Sequence, residues 1–372
     1  MSFINRITTW ATNQILTSSA LNSEFNNIIN LINNVDAGTT TWDNVKVTTL
    51  TLSGNAVMGG FKLTGLGNGT ASGDSATFGQ VQGSAGYSNI LINGGFEIWQ
   101  RGTSFSLSTA GTFTADRLFY EGMSGSSACV ISRESTTIHD GTYAAKIDIT
   151  NIGTATSLGI VQKVENYLDY AGKTVTFSQW VKTSLSGIRI GINDGSITQS
   201  SAHAGDGNWQ QLTVTKTISA TPAFLYFYNY YSPSAPPLGI VYIDSAMAVV
   251  NSIYVDYFPR PFGEDLALCQ RYYEKSYDIS TVPATSTTTN RISLPFNVSG
   301  SNVVGWIPYH VTKRVAPTVI FYTFTGTAGS WDMSGGITTV TNGNNSTNGC
   351  LVVDGISTDT FGEGHFTADA EL

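Results

Sequence analysis

At 372 residues the chain has room for two or three domains. Only 12% of its residues are charged and the net charge is −8, against roughly 25% charged in an average soluble domain. No Lys/Arg run supplies the electrostatic footprint of a nucleic-acid groove, and no stretch approaches the roughly 18 consecutive apolar residues of a membrane span. Residues 1–6 do not open with a basic segment leading into an apolar one, so no signal peptide is expected. Thr, Ser, Asn and Gly take the place of charge. That composition suits turn-rich β structure on a surface, with an ordinary secreted β protein as the plainer alternative.

Residues 1–17 read as irregular, with Ile4, Ile7 and Trp10 as isolated apolar anchors. A helix follows, with Ser18 or Ser19 able to cap it. Leu21, Phe25, Ile28, Ile32 and Val35 recur at spacings of four, three, four and three, the seam of a short coiled coil. Six Asn residues make the other faces polar. Asn is a mediocre helix former and an isolated helix of roughly 17 residues is marginal, so this one needs a partner surface. Its own chain or a parallel bundle of identical chains could provide it. The bundle is preferred, because nothing nearby in sequence offers a core.

Residues 37–86 read as a thin connecting shaft. Met58, Phe61, Leu63 and Leu66 cannot bury themselves in so short a segment, whereas three chains around one axis could bury them together. A small helix is expected over 74–82. A flexible Gly/Ser linker is the competing reading.

Dense β signals begin at residue 87. Ile90, Leu91 and Ile92, the turn Asn93-Gly94-Gly95, then Phe96, Ile98 and Trp99 read as the first strand of a sandwich. Further strands are expected at 117–121, 128–133, 143–150, 157–164, 174–183, 188–193, 210–217, 224–230 and 239–250. Asp140-Gly141, Asp194-Gly195 and Asp206-Gly207-Asn208 sign the turns between them. In a regular strand Phe224, Tyr226, Tyr228 and Tyr230 share one face and Leu225, Phe227 and Asn229 the other. Exposed tyrosines suit sugar stacking, since the ring meets C–H groups and the hydroxyl bonds to a neighbour. Tyr226, Tyr228 and Tyr230 are therefore the candidate ligand residues, against a reading as core and subunit contact.

Pro259 and Pro261 end the sandwich region. A helix is expected over 264–275, with Leu266, Cys269 and Tyr273 on one face. Strands follow at 291–298, 305–309, 318–324, 335–341 and 349–354, with a closing strand at the end of the chain. The spacing of Cys129, Cys269 and Cys350 fits neither a disulfide framework nor a zinc site, so buried free thiols are expected. The four histidines lie in no catalytic motif, and His203 reads as a solvated loop residue.

Several segments resemble bacteriophage tail-fibre and receptor-binding proteins. "NILINGGFEIWQRGTSF" followed by "FTADRLFY" is similar to the opening of their jelly-roll domain, itself similar to carbohydrate-binding modules. "WATNQILTSSALNSEFNNII" resembles their virion-attachment segment, "NAVMGGFKLTGLGNGTASGDSATFGQV" their shaft unit, and "YFPRPFGEDLALCQRYYEKSY" the segment after the jelly roll. The resemblance implies four parts. Residues 1–36 form an attachment and trimerisation helix and 37–86 a shaft. Residues 87–262 form a jelly-roll sandwich, and 263–372 a smaller C-terminal β-sandwich opened by a helix. The whole would be a mainly β, elongated homotrimer. It would be made in the host cytoplasm and carried on the virion, attached to other virion proteins through its N-terminus and bound to a bacterial surface glycan by multivalent adhesion. The resemblance further implies that Trp180 and Trp209 are core residues and that Glu97 and Asp244 share a structural Ca²⁺. A structural fibre or connector without receptor binding is the alternative function, and a capsule-degrading enzyme a more distant one.

Overall fold

Two-residue alternation of apolar and polar side chains runs through the middle of the chain, and it lays down two sheets with a shared interior. A computed structural model describes residues 17–36 and 88–372, apart from 109, 123–127, 155–156, 233, 236, 253, 296, 300–301 and 355–360. The expected shaft over 37–86, with its helix over 74–82, and the anchors Ile4, Ile7 and Trp10 lie outside the described residues.

Residues 1–66 and 67–372 form two separate units. In the first, α1 (Ser18–Asp36) is the described element. Its cap is Thr17 rather than Ser18 or Ser19: Thr17 Oγ1 accepts the Ala20 amide at 3.2 Å, satisfying one of the donors a helix start leaves orphaned. Leu21, Phe25, Ile28 and Ile29 are exposed along it, Phe25 by 55%. Ile32 and Val35 belong to the helix, but their side chains fall outside the described set.

The second unit opens with twelve strands: β1 (Ser104–Leu107), β2 (Thr112–Phe113), β3 (Phe119–Gly122), β4 (Ala128–Glu134), β5 (Ala144–Asn151), β6 (Leu158–Lys163), β7 (Thr174–Thr183), β8 (Arg189–Asn193), β9 (Ile197–Gln199), β10 (Trp209–Thr217), β11 (Tyr226–Ser232) and β12 (Gly239–Val250). They form two six-stranded antiparallel sheets, ordered β1-β4-β5-β12-β7-β10 and β2-β3-β6-β11-β8-β9. Ile131, Ile147, Phe177 and Val241 of the first sheet meet Ile160, Ile190, Ile192 and Phe227 of the second. Phe177 and Phe227 touch edge to face at 5.4 Å, and burying each such side chain contributes about 1.5–3 kcal/mol. Gln179 and Asn229 pair across this core, Asn229 Nδ2 donating to Gln179 Oε1 at 2.8 Å.

The stretch around Asn93 is not a strand. Asn93 and Phe96 have φ of 57° and 54°, a left-handed conformation that breaks a ladder. It is instead a buried knot. The Asn93 side chain donates to the carbonyls of Ile98 and Asp116 and accepts the Ile98 amide. Two backbone bonds, Ile90 to Ala248 and Ala246 to Gly94, moor it to β12.

The rest of the unit comprises α2 (Phe262–Gln270), β13 (Tyr273–Lys275), β14 (Ile292–Pro295), β15 (Asn297–Ser299), β16 (Asn302–Pro308), β17 (Thr318–Tyr322), β18 (Ser330–Met333), β19 (Gly336–Asn345), β20 (Gly349–Asp354) and β21 (Phe361–Asp369). The strands form a nine-stranded antiparallel sheet in which β21 pairs with β13, β14, β17 and β18. Trp331, Phe321, Phe366, Ile307 and Val352 make its core. The helix expected over 264–275 stops at Gln270, because residues 273–275 pair with 367–369 of β21. The chain end then locks onto the sandwich. Arg117 pairs with Glu371, and Arg101 reaches Asp116, Asp369 and Glu371 at 3.2–3.3 Å. All three cysteines are free and buried, and burial pushes the Cys129 thiol up to about 12.

Candidate functional site

β11 lies between β6 and β8, so its outward side chains stand in the middle of the second sheet. A regular strand would put Tyr226, Tyr228 and Tyr230 on one face. The register instead slips after Tyr228 against both neighbours, and a bulge of this kind inserts one residue and re-aims those that follow. Phe227 and Tyr230 therefore face the core, while Tyr226 and Tyr228 stand on the outer face, with Tyr231 beside Tyr228. Tyr230 is fully buried, which corrects its expected place among the ligand residues. Its hydroxyl has no hydrogen-bond partner among the described residues.

Tyr228 is the floor of this face. Val161 and Gly191 flank it in register, and Phe119 follows Val161. A Cβ on Gly159 would sit 2.7 Å from Tyr228 Cε1, so glycine there lets the ring lie down against the sheet. The Tyr228 hydroxyl bonds to Glu121 and Asn193, and burial, then Glu121, pushes its pKa up. Tyr231 meets the Tyr228 ring edge-on at 5.2 Å, and Phe224 packs on Tyr226 at 4.5 Å. The Lys163 ammonium lies 3.9 Å from the Phe119 ring centre and 5.6 Å from that of Tyr226; burial lowers its pKa. Tyr228 is itself buried and underlies the half-buried rings of Tyr226 and Tyr231. Bordered by Glu121, Asn193, Lys163 and Arg189, those half-buried rings can stack on the C–H face of a small polar ring and hydrogen-bond to its hydroxyls.

Glu97 and Asp244 come to one loop, residues 139–143. Asp244 Oδ2 accepts the amides of His139 and Asp140 at 2.8 and 3.1 Å, and Glu97 Oε1 those of Thr142 and Tyr143 at 2.6 and 3.2 Å. Burial raises the Asp244 pKa to about 6, against the lowering pull of those amides. The oxygens are hard donors of the kind Ca²⁺ takes, and a buried carboxylate with a raised pKa is one that a cation would relieve. Among the described residues, no group of three His, Cys, Asp or Glu has a metal-holding arrangement.

Three further residues sit elsewhere than expected. Trp180 and Trp209 stand half-buried on the outer face of the first sheet, not in the core. The inward positions of β7 are Val175, Phe177 and Val181, and those of β10 are Leu212 and Val214. His203 is buried rather than solvated. Its Nδ1 accepts the Gly205 amide, which leaves the proton on Nε2 to donate to the carbonyls of Val181 and Asn208.

No family model and no curated protein matches this chain. Among solved structures, the chain is similar to the enzymatically active domain of bacteriophage CBA120 tailspike protein 4, with 8% identity and a TM-score of 0.31; the match covers 44% of this chain and 21% of that one. It is similar to the CBM22-1 xylan-binding domain of Paenibacillus barcinonensis Xyn10C, with 12% identity, 45% and 97% coverage and a TM-score of 0.30. A cyclase from Fischerella sp. TAU matches with 13% identity, 45% and 99% coverage and a TM-score of 0.31. Identities and TM-scores this low leave the function to be read from the side chains.

Proposed function

We propose that the β-sandwich binds a saccharide on the outer face of its second sheet, and that the chain is a phage fibre protein adhering to a bacterial surface glycan. The observation that carries the binding reading is the tyrosine face: Tyr226 and Tyr228 side by side in mid-sheet, the floor lowered by Gly159, with Glu121, Asn193, Lys163 and Arg189 at its margin. Weak sites of this kind gain from repetition, and three copies on one particle raise avidity by roughly 10² to 10⁴ where the geometry allows. The exposed seam of Leu21, Phe25 and Ile28 supports trimerisation through α1; burying three such seams together removes apolar surface from water that one helix alone leaves exposed. Attachment to other virion proteins through the N-terminus belongs to the same proposal, as does a Ca²⁺ held by Glu97 and Asp244.

The test is labelling of host cells by the purified full chain, before and after the surface polysaccharide is stripped. Tyr226→Ala and Tyr228→Phe are compared with wild type, the second removing only the hydroxyl held by Glu121 and Asn193. Labelling that depends on polysaccharide and drops in both variants is the expected result. Unchanged labelling by correctly assembled variants moves the site off this face. Binding to particles that lack this protein, with none to cells, replaces the adhesin by a structural connector.

A further inference from the structure

The first sheet also has an open outer face, on the far side of the sandwich from the tyrosines. One end of it is covered: Met247 and Val249 pack under Val255 and Tyr257, and Thr176 Oγ1 donates to the Asn251 carbonyl. The other end carries aromatic and cationic groups in register. Trp209 pairs with Lys182, Lys182 with Tyr242, and Tyr242 with Lys146. These four outward positions form one row across β10, β7, β12 and β5, and all four side chains are half-buried. The next row holds Gln211, Trp180 and Asp244.

The loop over 139–143 completes the surface. Asp244, fully buried, holds the His139 and Asp140 amides. The His139 ring then lies flat on Trp180, with centroids 4.0 Å apart and planes at 16°, and meets Trp209 edge-on at 5.5 Å. Trp180 and His139 thus form a wall beside Trp209, and Tyr242 extends the floor. Lys182 rises between Trp209 and Tyr242. Neither Lys182 nor Lys146 has an ion-pair partner among the described residues. On adjacent-but-one strands they stand roughly 10 Å apart. Of the nearby carboxylates, Asp244 holds the loop, Asp140 Oδ1 accepts the Gly141 amide, and Asp148 shares the outer face of β5 with Lys146, in the row beyond Tyr242, opposite Ile240 and Val130.

We infer that this row is a second ligand site, for an acidic saccharide, and that it is independent of the tyrosine face. A pyranose ring stacks on Trp209 against the Trp180–His139 wall, and its carboxylate pairs with Lys182, with Lys146 placed for the next acidic unit. A neutral sugar would leave both ammonium groups unmatched. Charge complementarity therefore selects a uronic-acid type of chain over a neutral one, and salt screens the attraction.

A galacturonic-acid tetramer and its methyl ester are titrated into the full chain, followed by tryptophan fluorescence and calorimetry. The ester keeps every ring and removes every charge. The expected result is binding of the acid that quenches tryptophan emission and weakens with salt. The ester binds several-fold more weakly, Trp209→Ala costs about tenfold in affinity, and Lys182→Met abolishes the preference for acid over ester. Tyr226→Ala leaves this binding unchanged. Lys182→Met serves as the second variant should Trp209→Ala misfold, since it removes charge without a ring. Equal affinity for acid and ester overturns the inference, as does no binding at millimolar acid, or binding that Tyr226→Ala abolishes and Trp209→Ala spares. The last outcome would leave the tyrosine-face reading standing.

Discussion

Asp244→Asn is the substitution with the clearest expected signature. The folded protein buries the Asp244 carboxyl completely and raises its pKa from 3.8 to about 6. In the unfolded chain the group titrates near ~3.9. A raised folded pKa means that the native state binds the proton more tightly. The stabilisation is therefore full below the unfolded value and is lost as pH rises through the folded one. At 1.36 kcal/mol per pH unit the whole effect is about 3 kcal/mol, of which about 2 kcal/mol is recovered on acidifying from about pH 7.5 to about pH 4.5. Asparagine cannot titrate, so the variant lacks this gain. Urea unfolding of wild type and variant at both pH values, with a chelator present, isolates it, because every other titrating group cancels in the difference. Wild type should gain about 2 kcal/mol on the variant at the lower pH. A difference that is flat, or that grows as pH rises, refutes the burial argument. Repeating the series with added Ca²⁺ tests the proposed ion: wild type, and not the variant, should rise in Tm at neutral pH.

Lys313→Met should cost about 3 kcal/mol in urea unfolding, since it takes the ammonium from the fully buried Glu274, leaving that carboxylate to the His310 amide and ring, and removes the donor to the Gln270 carbonyl. Adding Glu274→Gln should recover part of the loss. Tyr230→Phe removes a buried hydroxyl that has no partner among the described residues, so it should stabilise by about 1–2 kcal/mol and leave saccharide binding intact; weakened binding would return Tyr230 to the ligand site. Phe25→Asp places a charge on the exposed seam of α1, and sedimentation of the full chain should then show dissociated protomers. An unchanged mass would remove α1 from the proposed assembly. Native protein should resist thiol reagents until it unfolds, because Cys129, Cys269 and Cys350 are all buried and the two in the sheets have thiols pushed up to about 12 and about 11.

Most strands were readable from the sequence because a half-buried strand writes its orientation locally. Val175, Phe177 and Val181 alternate with Thr174, Thr176, Ser178 and Lys182, and β7 spans the expected 174–183; β12 likewise spans 239–250. The apolar seam of α1 was legible for the same reason, at the helical period. What alternation cannot encode is a choice between two faces that both carry aromatics. Phe177 and Trp180 lie on opposite sides of one strand, and only the second sheet, arriving through β6, β8 and β11, decided that Phe177 went inside and Trp180 met His139. The bulge after Tyr228 has no local signature, yet it separates Tyr228 from Tyr230, one on the outer face and one in the core. The helix end at Gln270 depends on β21, almost a hundred residues later. The convergence of Glu97 and Asp244 on the 139–143 loop joins three distant segments. Local periodicity determined where the elements lie and which residues could be buried. Register, strand order and long-range partners, which depend on contacts far apart in the chain, decided which residues were buried and what surface the others compose.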